Sequence, residues 1–366
     1  YLAAENCCCP GAVNPACGRR LAGSICAAEN AGYEREEISV NDRAVSVFEN
    51  YEIEILRTLK GRGALLCETQ EGWFILKEYT GPLARLEIQE KLLAAVKDNG
   101  FSQLEQLIRN KEGGLISYDQ DRVPYILKTY YEGRECNLKD VRECQSAART
   151  LGRLHNAMHL PELVQEYAVP ALCMENEYVK HNRELKKVRR YLREKGQKTE
   201  FEIYLLHHYD FFYEKALSAV EELQGYSDAF DEAAIKKNGN FCHGDFQHHN
   251  ILYTPDGFTV INFEKYLLDN PIRDLYLFLR KLLEKNAWSV SLGLNILTAY
   301  ETQRTLSEAD RIQLYYRFAY PEKFWKIVNF YYNNGKAWIP GRNREKLENL
   351  LRQETEKKAF LDNALK

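Results

Sequence analysis

The stretch from Phe241 to Glu264 limits what this chain can fold into more than any other. His243-Gly244-Asp245 puts a carboxylate at the tip of a tight turn after a short β segment. A carboxylate aimed into a cleft from there can orient or deprotonate an attacking hydroxyl. Asn250 follows five residues on, so the loop returns an amide to the same cleft. Its oxygen is the hard donor that Mg²⁺ accepts. Ile251-Leu252-Tyr253, the turn at Asp256-Gly257 and Phe258-Thr259-Val260-Ile261 read as a β-hairpin. That hairpin delivers Asn262 to the cleft edge. The spacing suits a metal–nucleotide site built from one compact unit.

The rest of the chain divides around this unit. Residues 1–35 are rich in Ala, Gly, Asn and Cys without periodicity and read as a leader. Residues 36–127 are mixed. Tyr51 to Leu56 alternates like a half-buried strand, and Gly61-Arg62-Gly63 is a turn. Ala64–Thr69 and Trp73–Lys77 form a hairpin around Gln70-Glu71-Gly72, and Leu86 to Val96 has helical spacing. Gly114–Tyr118 and Pro124–Leu127 make another strand pair. From 128 to 366 the pattern is helical apart from the hairpin at 241–264. Strands with one helix, then mostly helices, predict an α+β, two-lobed layout with its site in the interlobe cleft.

Composition narrows the function classes. With 45% hydrophobic and 28% charged residues the chain reads as globular, and a net charge of -3 gives no global attraction to nucleic acid. No apolar run reaches the ~20 residues of a membrane span. Of ten cysteines, five fall within the first 26 residues without a Cys-x-x-Cys pair. The scattered others read as buried thiols. His248 and His249 read as solvated, and His155 and His159 as packing residues lacking the acid of a zinc motif.

The His243–Asn262 block resembles the aminoglycoside phosphotransferase and choline kinase group, whose fold is protein-kinase-like. More narrowly, residues 38–360 resemble the CotS-type spore coat proteins. Four stretches carry this in order: Lys60–Ala64, Tyr131–Cys136, Asp274–Lys281 and Tyr320–Trp325. The resemblance implies a small β-rich N-lobe, a larger helical C-lobe, and ATP with Mg²⁺ as cofactors. Asp245 would be the catalytic base and Asn250 a metal ligand. Lys77 would meet the α/β-phosphates, paired with Glu90 or, second, Glu87. Lys128, Tyr130 and Tyr131 would form the hinge beside the adenine, and Asp274 would brace the catalytic loop. The protein would be made in the cytoplasm and laid into the spore coat among other coat proteins.

Asn262 departs from this pattern, because active relatives carry a metal-binding Asp there. A neutral amide is a poorer Mg²⁺ ligand, and losing such a charge costs at least ~10²–10³-fold in rate. Glu264, two residues on, would share its face if the strand continued and would then act as the third metal ligand. The expected function is a spore coat protein with weak or lost phosphotransfer. The alternative is an active ATP/Mg²⁺-dependent phosphotransferase, with a small hydroxyl compound or a coat protein as acceptor. If Asn262 is what disables the site, Asn262→Asp should strengthen Mg²⁺-dependent ATP binding, and no change would mean that the cleft is closed for other reasons. The basic segment 180–193 would suit a small-molecule or anionic acceptor, or an acidic protein, while Leu185, Val188 and Leu192 pack inward.

Overall fold

The computed structural model describes residues 42–61, 63–226, 230–333 and 340–365. The expectations for residues 1–35, with their cysteine cluster, and for Arg62 lie outside these residues.

Alternating side chains build an antiparallel sheet. After a short helix α1 (Asp42–Ser46) come β1 (Ile55–Gly61), β2 (Ala64–Thr69) and β3 (Gly72–Glu78). Helix α2 (Leu83–Asp98), β4 (Leu107–Ile108), β5 (Ser117–Tyr118) and β6 (Pro124–Tyr130) follow. The strand order is β1-β2-β3-β6-β4, with β5 also pairing β6. The expected strand at Tyr51–Leu56 begins only at Ile55. Ile55 pairs Thr69, where β2 ends, so residues 51–54 have no ladder partner.

Register sorts the side chains of β3 and β6. Opposed residues share a face of the sheet. Leu76 faces Leu127, and both join Leu65, Cys67, Phe74, Val47 and Phe48 in an apolar core. Lys77 faces Ile126, and Ile75 faces Lys128. Both lysines therefore project from the other face.

Beyond β7 (Arg134–Glu135) the chain is mainly helical, with α3 (Val141–Ala157), α4 (Pro161–Tyr167), α5 (Met174–Glu194), α6 (Glu200–Gln224) and α7 (Glu232–Asn238). Asp140 caps α3, and Thr199 with Glu202 closes a capping box on α6. The short strands β8 (Phe241–Cys242), β9 (Ile251–Thr254), β10 (Gly257–Val260) and β11 (Leu267–Leu268) interrupt. Helices α8 (Ile272–Lys285), α9 (Val290–Glu301), α10 (Glu308–Ala319), α11 (Glu322–Asn333), α12 (Pro340–Arg352) and α13 (Glu354–Ala364) complete the chain.

Two apolar cores hold this part. One joins α3, α8 and α9 through Leu151, Leu154, Phe278 and Ile296, and reaches Val96 of α2. The other joins α5, α6, α10 and α11 through Leu185, Phe212, Tyr320 and Phe324. Of the C-terminal aromatics, Tyr316, Phe318, Tyr320 and Phe324 are buried, and Tyr315, Trp325, Tyr331 and Tyr332 pack partly buried against the second core. Phe330 is partly exposed, and Trp338 lies outside the described residues. The cysteines at 67, 136, 144, 173 and 242 are all free and buried. Among the described residues no helix is long and apolar enough to cross a membrane.

Candidate functional site

The floor of the cleft is a turn that only glycine can make. Gly244 has φ +80°, and a Cβ there would lie 2.1 Å from the Lys265 carbonyl oxygen. Asp274, fully buried on α8, accepts from the backbone N–H of His243 at 2.6 Å and of Gly244 at 2.9 Å. His155 stands against the same carboxylate at 3.4 Å, and its other ring nitrogen meets the Tyr300 hydroxyl at 2.8 Å. Burial alone would raise the Asp274 carboxyl; His155, His243 and the backbone donor reverse this and hold it below its ordinary value. Burial likewise depresses His155, which keeps the ring neutral. His243 ties the loop to the hairpin: its Nε2–H donates to the Ile261 carbonyl at 2.9 Å, and its Nδ1 accepts from Asp245 N. Asp274 thus holds the loop from below, where the resemblance put it, and His243 is a hydrogen-bonded structural residue of the loop.

Asp245 sits on that floor, partly buried. Burial pushes its carboxyl up, but the Lys265 ammonium at 2.7 Å and the Gln247 amide hold it below its ordinary value. Asn250 donates to the Asp245 carbonyl at 2.8 Å, and its own Oδ1 accepts from Asn262 Nδ2 at 2.9 Å. Asp245, Asn250 and Asn262 are thus linked side by side, as the spacing predicted.

The roof differs from expectation. Lys77 pairs with Glu264 at 3.1 Å, not with Glu90 or Glu87. Glu90 is bound to Arg109 at 2.7 Å, and Glu87 is exposed. The polar residue that α2 turns inward is Gln89, only 1% exposed and neutral, so the helix offers Lys77 no carboxylate. Lys128 is not a hinge residue. It lies within β6, 1% exposed, and its ammonium meets Glu264 Oε1 at 2.7 Å, Glu105 Oε2 at 2.9 Å and Asn262 Oδ1 at 3.4 Å. Burial alone would lower the Lys128 pKa, but Glu105 and Glu264 outweigh it and raise it. Tyr131 donates its hydroxyl to the Leu104 carbonyl at 2.9 Å, and Tyr130 packs edge-on against Trp73.

Glu264 does not stand beside Asn262 as a strand neighbour. Strand β10 ends at Val260, Asn262 is left-handed at φ 65° and ψ 57°, and residues 263–265 form a 3₁₀ turn. Asn tolerates that conformation through its short polar side chain. The turn swings Glu264 up to the two lysines. They overcome the effect of its burial and hold its carboxyl at about 2. Arg85, in the first turn of α2, donates to the carbonyls of Glu264 and Tyr266 and so fastens the turn to the N-lobe.

Two participants escaped the sequence reading. Glu105 is 1% exposed and caps the backbone N–H of Asn262 at 2.8 Å and of Phe263 at 2.9 Å while holding Lys128. Lys265 is the cation on Asp245. Neither lies in a motif; Glu105 is one acid in an unpatterned connection.

These donors do not fit Mg²⁺ as they stand. The two amide oxygens are spent on Asn262 Nδ2 and Lys128, Glu264 is held by two ammonium groups, and Asp245 faces Lys265 and Gln247. Mg²⁺ needs several free oxygen donors in octahedral array. Among the described residues no group of three or more His, Cys, Asp and Glu side chains is arranged to hold a metal. On α5, Leu185, Val188 and Leu192 do face inward, while Arg189 and Arg193 pair with Asp210 at 2.6 and 3.0 Å.

A β-rich lobe over a helical lobe, with a His-Gly-Asp loop at the junction, defines the kinase-like phosphotransferase fold. An aminoglycoside phosphotransferase from Alicyclobacillus acidocaldarius superposes with a TM-score of 0.74 at 19% identity, over 87% of this chain and 94% of that one. Spectinomycin phosphotransferase APH(9)-Ia, in complex with ADP and its antibiotic, superposes with a TM-score of 0.58 at 13% identity, over 89% and 95%. Within that fold, residues 44–364 match the family described as "Spore coat putative kinase YutH", and the chain belongs to it. It is also 24% identical to spore coat protein S of Bacillus subtilis (strain 168) over 317 residues, 82% of this chain and 86% of that protein.

Proposed function

We propose that this protein is a spore coat component that uses the kinase-like cleft as a structural joint, with phosphotransfer weak or lost. One observation carries the reading. The Lys128 ammonium occupies the junction of Asn262, Glu264 and Glu105. An internal cation neutralises the oxygens that a nucleotide-bound metal would need, and the buried Lys128 spends its charge inside the protein. A buried, fully paired cluster of this kind holds two lobes in one arrangement without a ligand. Its partners would be other coat proteins, and its place the spore coat.

The braced Asp245 loop favours the second reading, an ATP- and Mg²⁺-dependent phosphotransferase. A thermal shift with ATP and Mg²⁺ separates the two, since a ligand at 100 times its Kd adds ~2.7 kcal/mol of stability. No shift is expected for the native chain. None is expected for Asn262→Asp alone, because Lys128 would pair with the new carboxylate. Asn262→Asp combined with Lys128→Met frees that carboxylate and should bring Mg²⁺-dependent ATP binding into view. A clear shift of the native chain, followed by phosphate transfer to a small hydroxyl compound or a coat protein, would overturn the joint.

A further inference from the structure

A second cleft, of about 530 Å³, opens beside the His-Gly-Asp loop, with Gln247 in its wall. Gln247 is the residue that donates to Asp245. The other walls come from α8, α11 and α12, which contribute Arg280, Lys281, Lys323, Lys326 and Lys346 and no carboxylate. Behind them, Glu284 takes Lys323 at 2.7 Å and Arg280 at 3.5 Å, and Glu322 takes Lys326 at 2.5 Å. Lys281 and Lys346 have no ion-pair partner among the described residues.

Two buried donors line the same cleft unsatisfied. Arg280 is 8% exposed and Asn343 2%, and Arg280 Nε and Asn343 Nδ2 have no hydrogen-bond partner among the described residues. Both atoms are N–H donors closed off from solvent, so they add positive potential behind the wall without reaching an occupant of the cleft. A buried donor left bare costs free energy. Ile327, Phe330 and Leu350 supply an apolar lining between the cations.

We infer that this cleft takes a carboxylate-bearing segment of a partner protein, with apolar side chains on Ile327 and Phe330 and acidic ones toward Lys281, Lys326 and Lys346. Charge complementarity selects an anion. Cations carried by three helices with apolar surface between them suit an extended peptide better than a single compact ion. The outward cations of α5 (Lys186, Lys187, Arg190) come from one helix and lack such buried donors. The kind of partner rests on the coat-component reading; the anionic chemistry does not.

The test is fluorescence anisotropy on the full chain, without nucleotide, so its failure leaves the reading of the joint intact. The probe is a labelled peptide of alternating Glu and Leu. It should bind, weaken as salt rises, and lose roughly tenfold or more in affinity with Lys281→Glu, Lys326→Glu and Lys346→Glu combined. The milder Lys281→Ala with Lys346→Ala should lose less, in a protein of native melting temperature. The combined Lys186→Glu, Lys187→Glu and Arg190→Glu should change nothing. Equal binding of a Gln–Leu peptide, loss only in the α5 variant, or equal competition by inorganic phosphate would overturn the assignment.

Discussion

The floor and the roof of the interlobe cleft are held together by different kinds of group. The floor is organised through backbone groups: Asp274 takes two N–H groups of the loop, His243 takes the hairpin carbonyl, and Asn250 takes the Asp245 carbonyl. These bonds shape the loop whatever lies above it. The roof is organised through side-chain charge: Lys77, Lys128, Glu105 and Glu264 satisfy one another. Charge pairing rather than backbone bonding sets the shape of the roof. The loop's shape therefore rests on bonds that do not depend on the charges of the roof.

The largest effect should come from breaking the roof at its hidden centre. Glu105→Leu removes the buried partner of Lys128, leaving Glu264 as its one carboxylate, uncaps two N–H groups, and should cost about 3–5 kcal/mol in urea unfolding. Lys128→Met should cost clearly less, about 1–2 kcal/mol, because Glu105 keeps its backbone donors and Glu264 keeps Lys77. Equal losses would mean that charge does not organise the roof.

Breaking the floor should cost somewhat less. Asp274→Asn turns an amide NH₂ toward backbone N–H donors and should lose about 2–3 kcal/mol. Hydrogen exchange at Gly244 should speed up while exchange in β2 and β3 stays unchanged. Accelerated exchange in both lobes would show that floor and roof form a single unit.

A pH series sharpens the contrast further. The lysines hold the Glu264 carboxyl at about 2, against an ordinary 4.5. Its contribution is complete above the unfolded value and is lost as pH falls from 4.5 toward 2. Lys128 is raised above 10.5, so its contribution is complete below that value and fades only as pH climbs through the folded pKa. Glu264→Gln should flatten the acid limb and cost about 1–2 kcal/mol at neutral pH. An unchanged acid limb would remove Glu264 from the roof.

The same division decided what could be seen in the sequence. The floor was legible because its groups are near neighbours in a motif: Asp245, Asn250 and the hairpin are fixed by spacing, while Asp274 came from the family resemblance. Lys77 was placed on a strand by its hairpin, and its part in the site came only from the family resemblance. The roof was not legible. Lys128 and Glu105 are single charged residues with no pattern around them, and their meeting depends on the β3–β6 register and on the path of the chain after α2. Glu90 misled because helical spacing names a face without saying which lysine lies across from it. Glu264 misled because period two was carried past Val260, where a left-handed Asn262 ends the strand.

The smallest effect concerns the one ion pair that joins the floor to solvent. Lys265 is 67% exposed on its side chain yet lies 2.7 Å from Asp245 Oδ2. An exposed cation of this kind contributes little to stability, so Lys265→Ala should change it by less than about 1 kcal/mol. The Asp245 carboxyl should respond nonetheless, because Lys265 is the foremost group opposing the effect of its burial. Its pKa, followed by NMR, should rise in the variant while Gly244 exchange stays as it was. If the pKa stays put, Gln247 and the loop suffice to keep Asp245 ionised, and Lys265 is a passing surface contact. If it rises, this exposed lysine sets the charge of the loop carboxylate as Lys128 and Lys77 set that of Glu264, and self-pairing reaches from the roof to the floor.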